Sequence, residues 1–300
     1  MQLENVACDF CASKEHRKVY SAEVDSNNLT GQMSCTNVGH SEFFQLVQCH
    51  QCGLFFSSPR PSEKQLLTAY EEVIDPIYQE EIKGRSITFQ RNLQHLKKYC
   101  SSGTLLDVGC ATGVFLNEAR ARGWEEFGIE PSAWGVERAR SGYHLSRVEQ
   151  GGIEEIGIFK KQFDVMTMWD VLEHVPSPKK ALMKAHEFLK PKGILAFSTV
   201  DFGSLYARLM GKKWPWLMKM HIYYFNRQII KKYLAEAGFE VLSIRVYKHT
   251  VSLKYLIYKM KTLNLLGYHV LNSINCLFRN QDIFLTIALG DFMEVYAQKK

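Results

Sequence analysis

Three sets of residues in this chain have the types and the spacing to do chemistry. The first is two thiol pairs, Cys8-x-x-Cys11 and Cys49-x-x-Cys52. Each pair can place two thiolates on one turn, and two such turns supply a closed tetrahedral zinc site. The second is Asp107-x-Gly109-x-x-x-Gly113, preceded by Leu105-Leu106 and followed by Val114 to Arg120. That order reads as buried strand, glycine turn and amphipathic helix, which lets a backbone come close to a bound nucleoside. The spacing is not the G-x-G-x-x-G of a dinucleotide site. An acid inside the motif repels phosphate and suits a cationic or amino-bearing ligand. Glu130 ends the next apolar run, Phe127-Gly128-Ile129, 23 residues after Asp107, about where an acid grips ribose hydroxyls from the end of a second strand. The third set is His174 and His221, whose imidazoles titrate near neutral pH and can take a proton from a reacting group.

These residues need a frame. Phe163 to Val175 reads as an apolar strand running into a polar turn, so His174 falls just past its end. Ala181 to Leu189 reads as a helix, Lys190-Pro191-Lys192-Gly193 as its break, and Ile194 to Val200 as the next strand. His221 lies in the segment after that strand, with Lys213-Trp214-Pro215-Trp216 and His221 to Asn226 on the side where open α/β sheets bind ligands. Asn226 caps a helix that Gly238 ends, and Phe239–Val246 is a strand. Towards the N-terminus, Lys18 to Val24 and Glu42 to Gln48 read as strands of a hairpin between the cysteine pairs. Ser62 caps a helix ending near Glu72.

The glycine turn, Glu130, the Phe163–Val175 strand and the helix, K-P-K-G turn and strand that follow resemble the class I S-adenosylmethionine-dependent methyltransferases. The resemblance implies an α/β, Rossmann-like seven-stranded sheet with an antiparallel last strand. Ile283 to Leu289 and Phe292 to Ala297 are expected as the final antiparallel pair. It implies that Asp107, Gly109 and Gly113 hold the methionine part of the cofactor and Glu130 the ribose. Cys110, Pro131, Ile153, Trp169 and Asp170 are expected to complete the cofactor wall, with Glu154 the acid available near the adenine. Where the family has a middle glycine this chain has Ala111. His174 and His221 are the candidate general bases for a hydroxyl acceptor. An amino-group methylase of DNA would show an N/D-P-P-Y/F turn after the fourth strand, where this chain reads Trp169-Asp170-Val171-Leu172. O-methylation ranks first, with transfer to nitrogen or carbon open.

With Gly53 after the second thiol pair, the F-x-S-x-P-R-P run from Phe55 to Pro61, and Tyr70 and Tyr78, the chain resembles a bacterial subgroup with an N-terminal zinc ribbon that acts on small molecules. The implied acceptor is a sugar, a nucleotide-sugar or another metabolite. Cys8, Cys11, Cys49 and Cys52 are the expected ligands of a structural zinc ion, although the 37 residues between the pairs exceed the roughly 15–20 of a standard ribbon. His16, Cys35 and His40 are spare donors, and Cys100 and Cys276 read as isolated structural thiols.

Three hundred residues, 46% hydrophobic, allow one large domain and a small one. The expected division is a ribbon at 1–58, a helical linker or lid at 59–100 and a methyltransferase domain at 101–300, with basic, helical insertions on the substrate side at 203–280. The N-terminus has no basic start and no apolar run, so no secretory signal is expected. No run of about 18 apolar residues predicts a spanning helix. Eight cysteines without an export signal point to metal-binding thiols and the cytoplasm. The overall charge of +6 is uneven: residues 1–60 carry −2 and residues 203–280 carry +11. An acidic ribbon disfavours nucleic acid as its partner. The basic stretch reads first as a solvated face, next as a rim for an anionic acceptor, and least favourably as a peripheral membrane contact. The alternatives kept open are an RNA methyltransferase using the basic face and a non-catalytic methyltransferase-like assembly module.

Overall fold

The computed structural model describes residues 3–24, 42–262 and 282–300. Cys35, His40, Cys276 and the part of the expected basic, helical insertions that follows residue 262 lie outside the described residues.

The chain opens with five short strands: Leu3–Glu4 (β1), His16–Tyr20 (β2), Leu46–Cys49 (β3), Phe55–Ser57 (β4) and Arg60–Pro61 (β5). Three helices follow, Glu63–Glu71 (α1), Pro76–Glu80 (α2) and Ile82–Leu96 (α3). Ser62 and Gln65 form a capping box at α1, satisfying amides that the first turn leaves bare.

Strands and helices then alternate: Thr104–Val108 (β6), Val114–Arg120 (α4), Glu125–Glu130 (β7), Ala133–Tyr143 (α5), Val148–Gln150 (β8), Phe163–Trp169 (β9), Pro178–Phe188 (α6) and Leu189–Val200 (β10). After Leu205–Met210 (α7) come Tyr223–Tyr224 (β11), Arg227–Glu236 (α8), Phe239–Val246 (β12), His249–Ser252 (β13), Leu253–Thr262 (α9), Phe284–Ile287 (β14) and Phe292–Lys299 (β15). Ser177 with Pro178 starts α6 and Asn226 starts α8, each side chain accepting a first-turn amide.

The central sheet has seven strands in the order β12-β15-β10-β9-β6-β7-β8. Pairings among β6 to β10 are parallel, and β15 runs antiparallel to both its neighbours. The expected Rossmann-like sheet with an antiparallel last strand is therefore the observed one. The chain leaves β6 towards β7 and β8 and returns on the other side to β9 and β10. The gap beyond the carboxyl ends of β6 and β9 is the switch point where such sheets bind ligands.

One expectation is corrected. The segment from Ile283 to Leu289 does not pair with Phe292–Ala297. Both edges of β15 are already taken by β10 and β12, so β14 pairs with β13 in a separate two-stranded sheet.

The second larger sheet, β11-β4-β3-β2, joins both parts of the chain. Tyr223 and Tyr224 pair with Phe56 and Phe55, so a strand from beyond β10 completes the sheet that carries Cys49. Asp9, between two cysteines, accepts hydrogen bonds from the Ser177 hydroxyl (2.5 Å), the Lys179 amide (2.9 Å) and the Tyr233 hydroxyl (3.0 Å). A carboxylate there also complements the positive end of α6. Arg60 adds hydrogen bonds to the Pro176 carbonyl (3.0 Å) and Tyr223 hydroxyl (2.9 Å). The N-terminal part thus grips both segments that carry the two histidines.

Candidate functional site

The glycine turn is built at the end of β6. The Gly109 amide donates to the Ile129 carbonyl at 2.8 Å, tying the turn to β7. Gly109 has φ +72° and Gly113 φ +81°, a region that side chains resist. Space excludes side chains as well: a Cβ at Gly113 would lie 2.5 Å from Leu145 Cδ1. Ala111, where the resemblance implies a glycine, has φ +47°, a left-handed backbone that glycine would adopt without strain. Its amide donates to Glu130 Oε2 at 2.8 Å, which offsets a strain of about 1 kcal/mol or more.

Glu130 organises the turn from the end of β7. Oε1 accepts the Ser132 amide at 2.9 Å while Oε2 holds Ala111. Burial pushes its pKa up, against the pull of those two amides. Asp107 lies beside Thr167 of β9, whose hydroxyl donates to Asp107 Oδ1 at 2.6 Å. Burial raises the Asp107 pKa to about 8, with the Thr167 bond opposing and the Glu130 charge adding to the rise.

A cavity of about 690 Å³ covers this end of the sheet, within the usual range for ligand sites, ~300–1,000 Å³. Asp107, Gly109, Cys110, Glu130, Pro131, Ile153, Trp169, Asp170, His174 and His221 all line it. Gly113 stands behind the wall and starts α4. Glu154, from the turn after β8, also lines the cavity. Thr112 Oγ1 and Trp169 Nε1 face no hydrogen-bond partner among the described residues, though both are buried. A polar ligand seated on the glycine turn fits such a wall.

The acceptor end is assembled by long-range contacts. Asp170 has φ +55° and turns the chain sharply off β9, its Oδ1 accepting the Ser198 hydroxyl at 2.6 Å. The Glu173 carbonyl then accepts the amides of Ile222 (3.0 Å) and Tyr223 (3.2 Å). This brings His174 and His221 together, ring centroids 4.7 Å apart. His174 Nδ1 lies 3.0 Å from the Met220 carbonyl and 2.9 Å from the Tyr70 hydroxyl, which itself donates to Met220 at 3.2 Å. His221 Nδ1 lies 2.9 Å from the Trp216 carbonyl. Those carbonyls assign the proton to Nδ1 of both rings and leave each Nε2 with its lone pair. Burial lowers the His174 pKa to about 4. It also holds that of His221 well below the ordinary imidazole range, helped by His174. Both rings are neutral at physiological pH.

The sequence reading missed Glu173, although it stands next to His174. Its carboxyl is fully buried and accepts the Thr199 hydroxyl at 2.8 Å. In the sequence Tyr70 belongs only to the segment after the ribbon and Trp216 to the substrate-side loop, and their hold on the two histidines emerges only in three dimensions. Asp291 fixes Trp216 in turn, accepting the indole N–H groups of Trp214 (3.0 Å) and Trp216 (2.9 Å). The sole sequence signal for this cluster was the acid-rich turn Asp170-Val171-Leu172-Glu173 at the strand end.

The four thiols of Cys8, Cys11, Cys49 and Cys52 meet on the N-terminal sheet. Cys8 and Cys52 sulfurs lie 3.4 Å apart and those of Cys11 and Cys49 3.5 Å apart. These are far beyond a disulfide's ~2.05 Å and near the ~3.8 Å edges of a tetrahedron with Zn–S of ~2.3 Å. Both turns close alike, with the Ala12 amide on the Cys8 carbonyl and the Gly53 amide on the Cys49 carbonyl. Ala12 (φ +58°) and Gly53 (φ +81°) are left-handed. Burial pushes the Cys8 thiol well up. At Cys49 burial also raises the pKa, but amides of Cys52 and Gln51 with the Cys11 thiol bring it down to about 7. The set fits a structural zinc ion. His16 is not part of it; its ring packs edge-on against Phe56.

Comparison with known proteins agrees with this geometry. The profile of a methyltransferase-domain family matches residues 81–244, more than half of the chain. The chain is similar to a ubiquinone biosynthesis O-methyltransferase of Histophilus somni (strain 2336), 33% identical over 122 residues, covering 36% of this chain and 51% of the relative. It is also similar to the mitochondrial protein of that name from Schizosaccharomyces pombe, 35% identical over 122 residues, with 38% and 44% covered. The chain spans about half the length of the curated relatives it matches. Among solved structures, a Thermotoga maritima S-adenosylmethionine-dependent methyltransferase, possible histamine N-methyltransferase, aligns with a TM-score of 0.48 at 21% identity, covering 73% of this chain and 91% of that one. No helix among the described residues is long and apolar enough to cross a membrane. The chain belongs to the methyltransferase-domain family, and to the class I methyltransferases within it whose cofactor is S-adenosylmethionine.

Proposed function

We propose that this protein transfers the methyl group of S-adenosylmethionine to a hydroxyl of a small, largely apolar acceptor. The observation that carries the reading is the continuity of one cavity from the Asp107–Glu130 turn to the His174–His221 pair. Asp107 and the turn from Gly109 to Ala111 hold the methionine part, Glu130 the ribose, and Ile153 and Pro131 the adenine. The acceptor oxygen attacks the methyl carbon, the carbon–sulfur bond breaks with its electrons staying on sulfur, and the hydroxyl proton leaves at the end of the cavity that His174 and His221 line. Positioning of this kind can supply ~7–11 kcal/mol of the barrier. The methylated atom follows the relatives, whose names specify O-methylation. The N-terminal 1–58 unit then serves as a zinc-held clamp, and the helices within 59–100 as a wall over the cleft.

The lining favours an aromatic or otherwise apolar compound over a sugar or nucleotide-sugar. Leu67, Tyr70, Phe89, Trp216, Leu256 and Phe292 face the cavity. Of the described lysines and arginines from 203 to 262, Lys259 alone lines it. The test is methyl transfer from labelled S-adenosylmethionine to a panel of phenols, catechols and nucleotide-sugars. Turnover of a nucleotide-sugar in preference to every aromatic hydroxyl would overturn the acceptor assignment. In the same assay His174→Ala lowers kcat about 10²-fold with cofactor affinity unchanged. An unaltered kcat removes His174 from the reaction.

Asp107 makes cofactor binding depend on pH. Its carboxyl is mostly protonated below its pKa of about 8, whereas a cationic ligand favours the ionised form. Binding at neutral pH therefore releases a proton, and affinity rises with pH up to about 8, by at most ~10-fold per unit. Titration between pH 6 and 8 in buffers of different ionisation heat checks this. Asp107→Asn flattens the profile, and an unflattened profile would assign the proton elsewhere.

A further inference from the structure

Glu173, His174 and His221 do more than meet at the acceptor end. The ligand atoms that they offer all lie within 4.8 Å of one another, and all three residues are buried and line the cavity. Each is held from behind. Carbonyls of Met220 and Trp216 take the Nδ1 protons of the two imidazoles, which is how metal-ligating histidines are commonly oriented. Thr199 anchors Glu173 Oε2. The other oxygen, Oε1, is buried without a hydrogen-bond partner among the described residues. A lone carboxylate oxygen in that position is costly unless a cation or proton meets it. A proton-accepting role for the histidines leaves this oxygen unexplained.

We propose that Glu173, His174 and His221 form a second metal site, separate from the four thiols, for a divalent first-row ion such as Zn²⁺ or Mn²⁺. Two imidazoles and one carboxylate suit such ions. Three protein ligands leave coordination positions free towards the cavity, so an acceptor hydroxyl can reach the ion. This rests on the reading that the acceptor occupies that end of the cavity. An ion there lowers the pKa of a hydroxyl that it contacts. The segment bearing His221 is held by the N-terminal sheet, so the second site depends structurally on the first.

The test is metal binding by the full chain with its thiol site already loaded with zinc, in the absence of cofactor and acceptor. Titration with Zn²⁺ and Mn²⁺, read by calorimetry and elemental analysis after desalting, is expected to give one further ion per chain. Glu173→Gln and His221→Ala each lower affinity for that ion at least ~10²-fold while keeping the thiol-bound zinc. Co²⁺ in the second site gives ligand-field bands without the thiolate charge transfer of the first. Circular dichroism and cofactor titration of both variants report whether they fold. No further ion in the parent protein, or a further ion retained by both folded variants, overturns the proposal. Cofactor binding without a second ion overturns this site alone, and a second ion without cofactor binding overturns the methyltransferase reading alone.

Discussion

Removing the thiol-bound metal, by chelation or by Cys49→Ser, is expected to unfold the N-terminal sheet and disable the acceptor end while sparing the cofactor end. Structural zinc sites contribute on the order of 10–16 kcal/mol to folding in small units, more than a three-strand sheet of this size supplies by itself. The consequences then follow the contacts. Without a fixed β4, Tyr223 and Tyr224 lose their strand partner. Without a fixed Asp9 and Arg60, the Pro176–Lys179 turn and Tyr223 lose four hydrogen bonds. His174 and His221 lie on those segments. Asp107, Glu130 and the glycine turn are held within the central sheet and touch none of these anchors. Hydrogen exchange should therefore accelerate over 46–57 and 214–224, and methyl transfer should fall at least ~10²-fold, as misplacement of ~1 Å does elsewhere. S-adenosylmethionine affinity should change little. Unchanged exchange after complete zinc loss would refute the clamp.

Glu130→Ala has the second large effect, and at the other end of the cavity. The carboxylate accepts two amides at 2.8 and 2.9 Å, and truncation strands both. Hydrogen bonds to charged groups are worth ~1.5–3 kcal/mol each, and Ala111 is held at φ +47° partly by one of them. The turn should relax, and the ribose loses its acceptor as well. Cofactor affinity is expected to fall at least ~10²-fold, or ~2.7 kcal/mol. Glu130→Gln keeps one oxygen and the shape, and should lose about 10-fold. Equal losses in the two variants would show that charge alone matters, and no loss in either would remove Glu130 from the site.

How far the site could be read in advance follows from chain distance. Asp107, Gly109, Gly113 and Glu130 were legible because strand, turn, helix and strand follow one another locally, so spacing carries the geometry. The seven-stranded sheet with its antiparallel last strand was legible through the family resemblance that these local segments carry. The thiol site was legible for a similar reason, since each pair forms its own turn and only the meeting of two turns had to be inferred. Glu173 was not, because its partners Thr199 and Ile222 come from distant segments and its burial is decided by them. The union of Tyr223–Tyr224 with Phe55–Phe56 was equally hidden, for two-residue pairings leave no periodic trace. The β14 segment was misplaced because alternation shows that a strand exists without showing which edge is still open. Ala111 looked like a departure from the family pattern, yet the turn keeps its left-handed backbone.

The central claim is that the turn between Asp107 and Glu130 holds S-adenosylmethionine. Its most direct test is calorimetric titration of S-adenosylmethionine and its demethylated product into zinc-loaded protein, with Glu130→Ala alongside. Micromolar binding of both ligands in the parent, weakened at least ~10²-fold in the folded variant, is the predicted result. No binding by well-folded parent protein, or equal binding by the variant, would contradict the account.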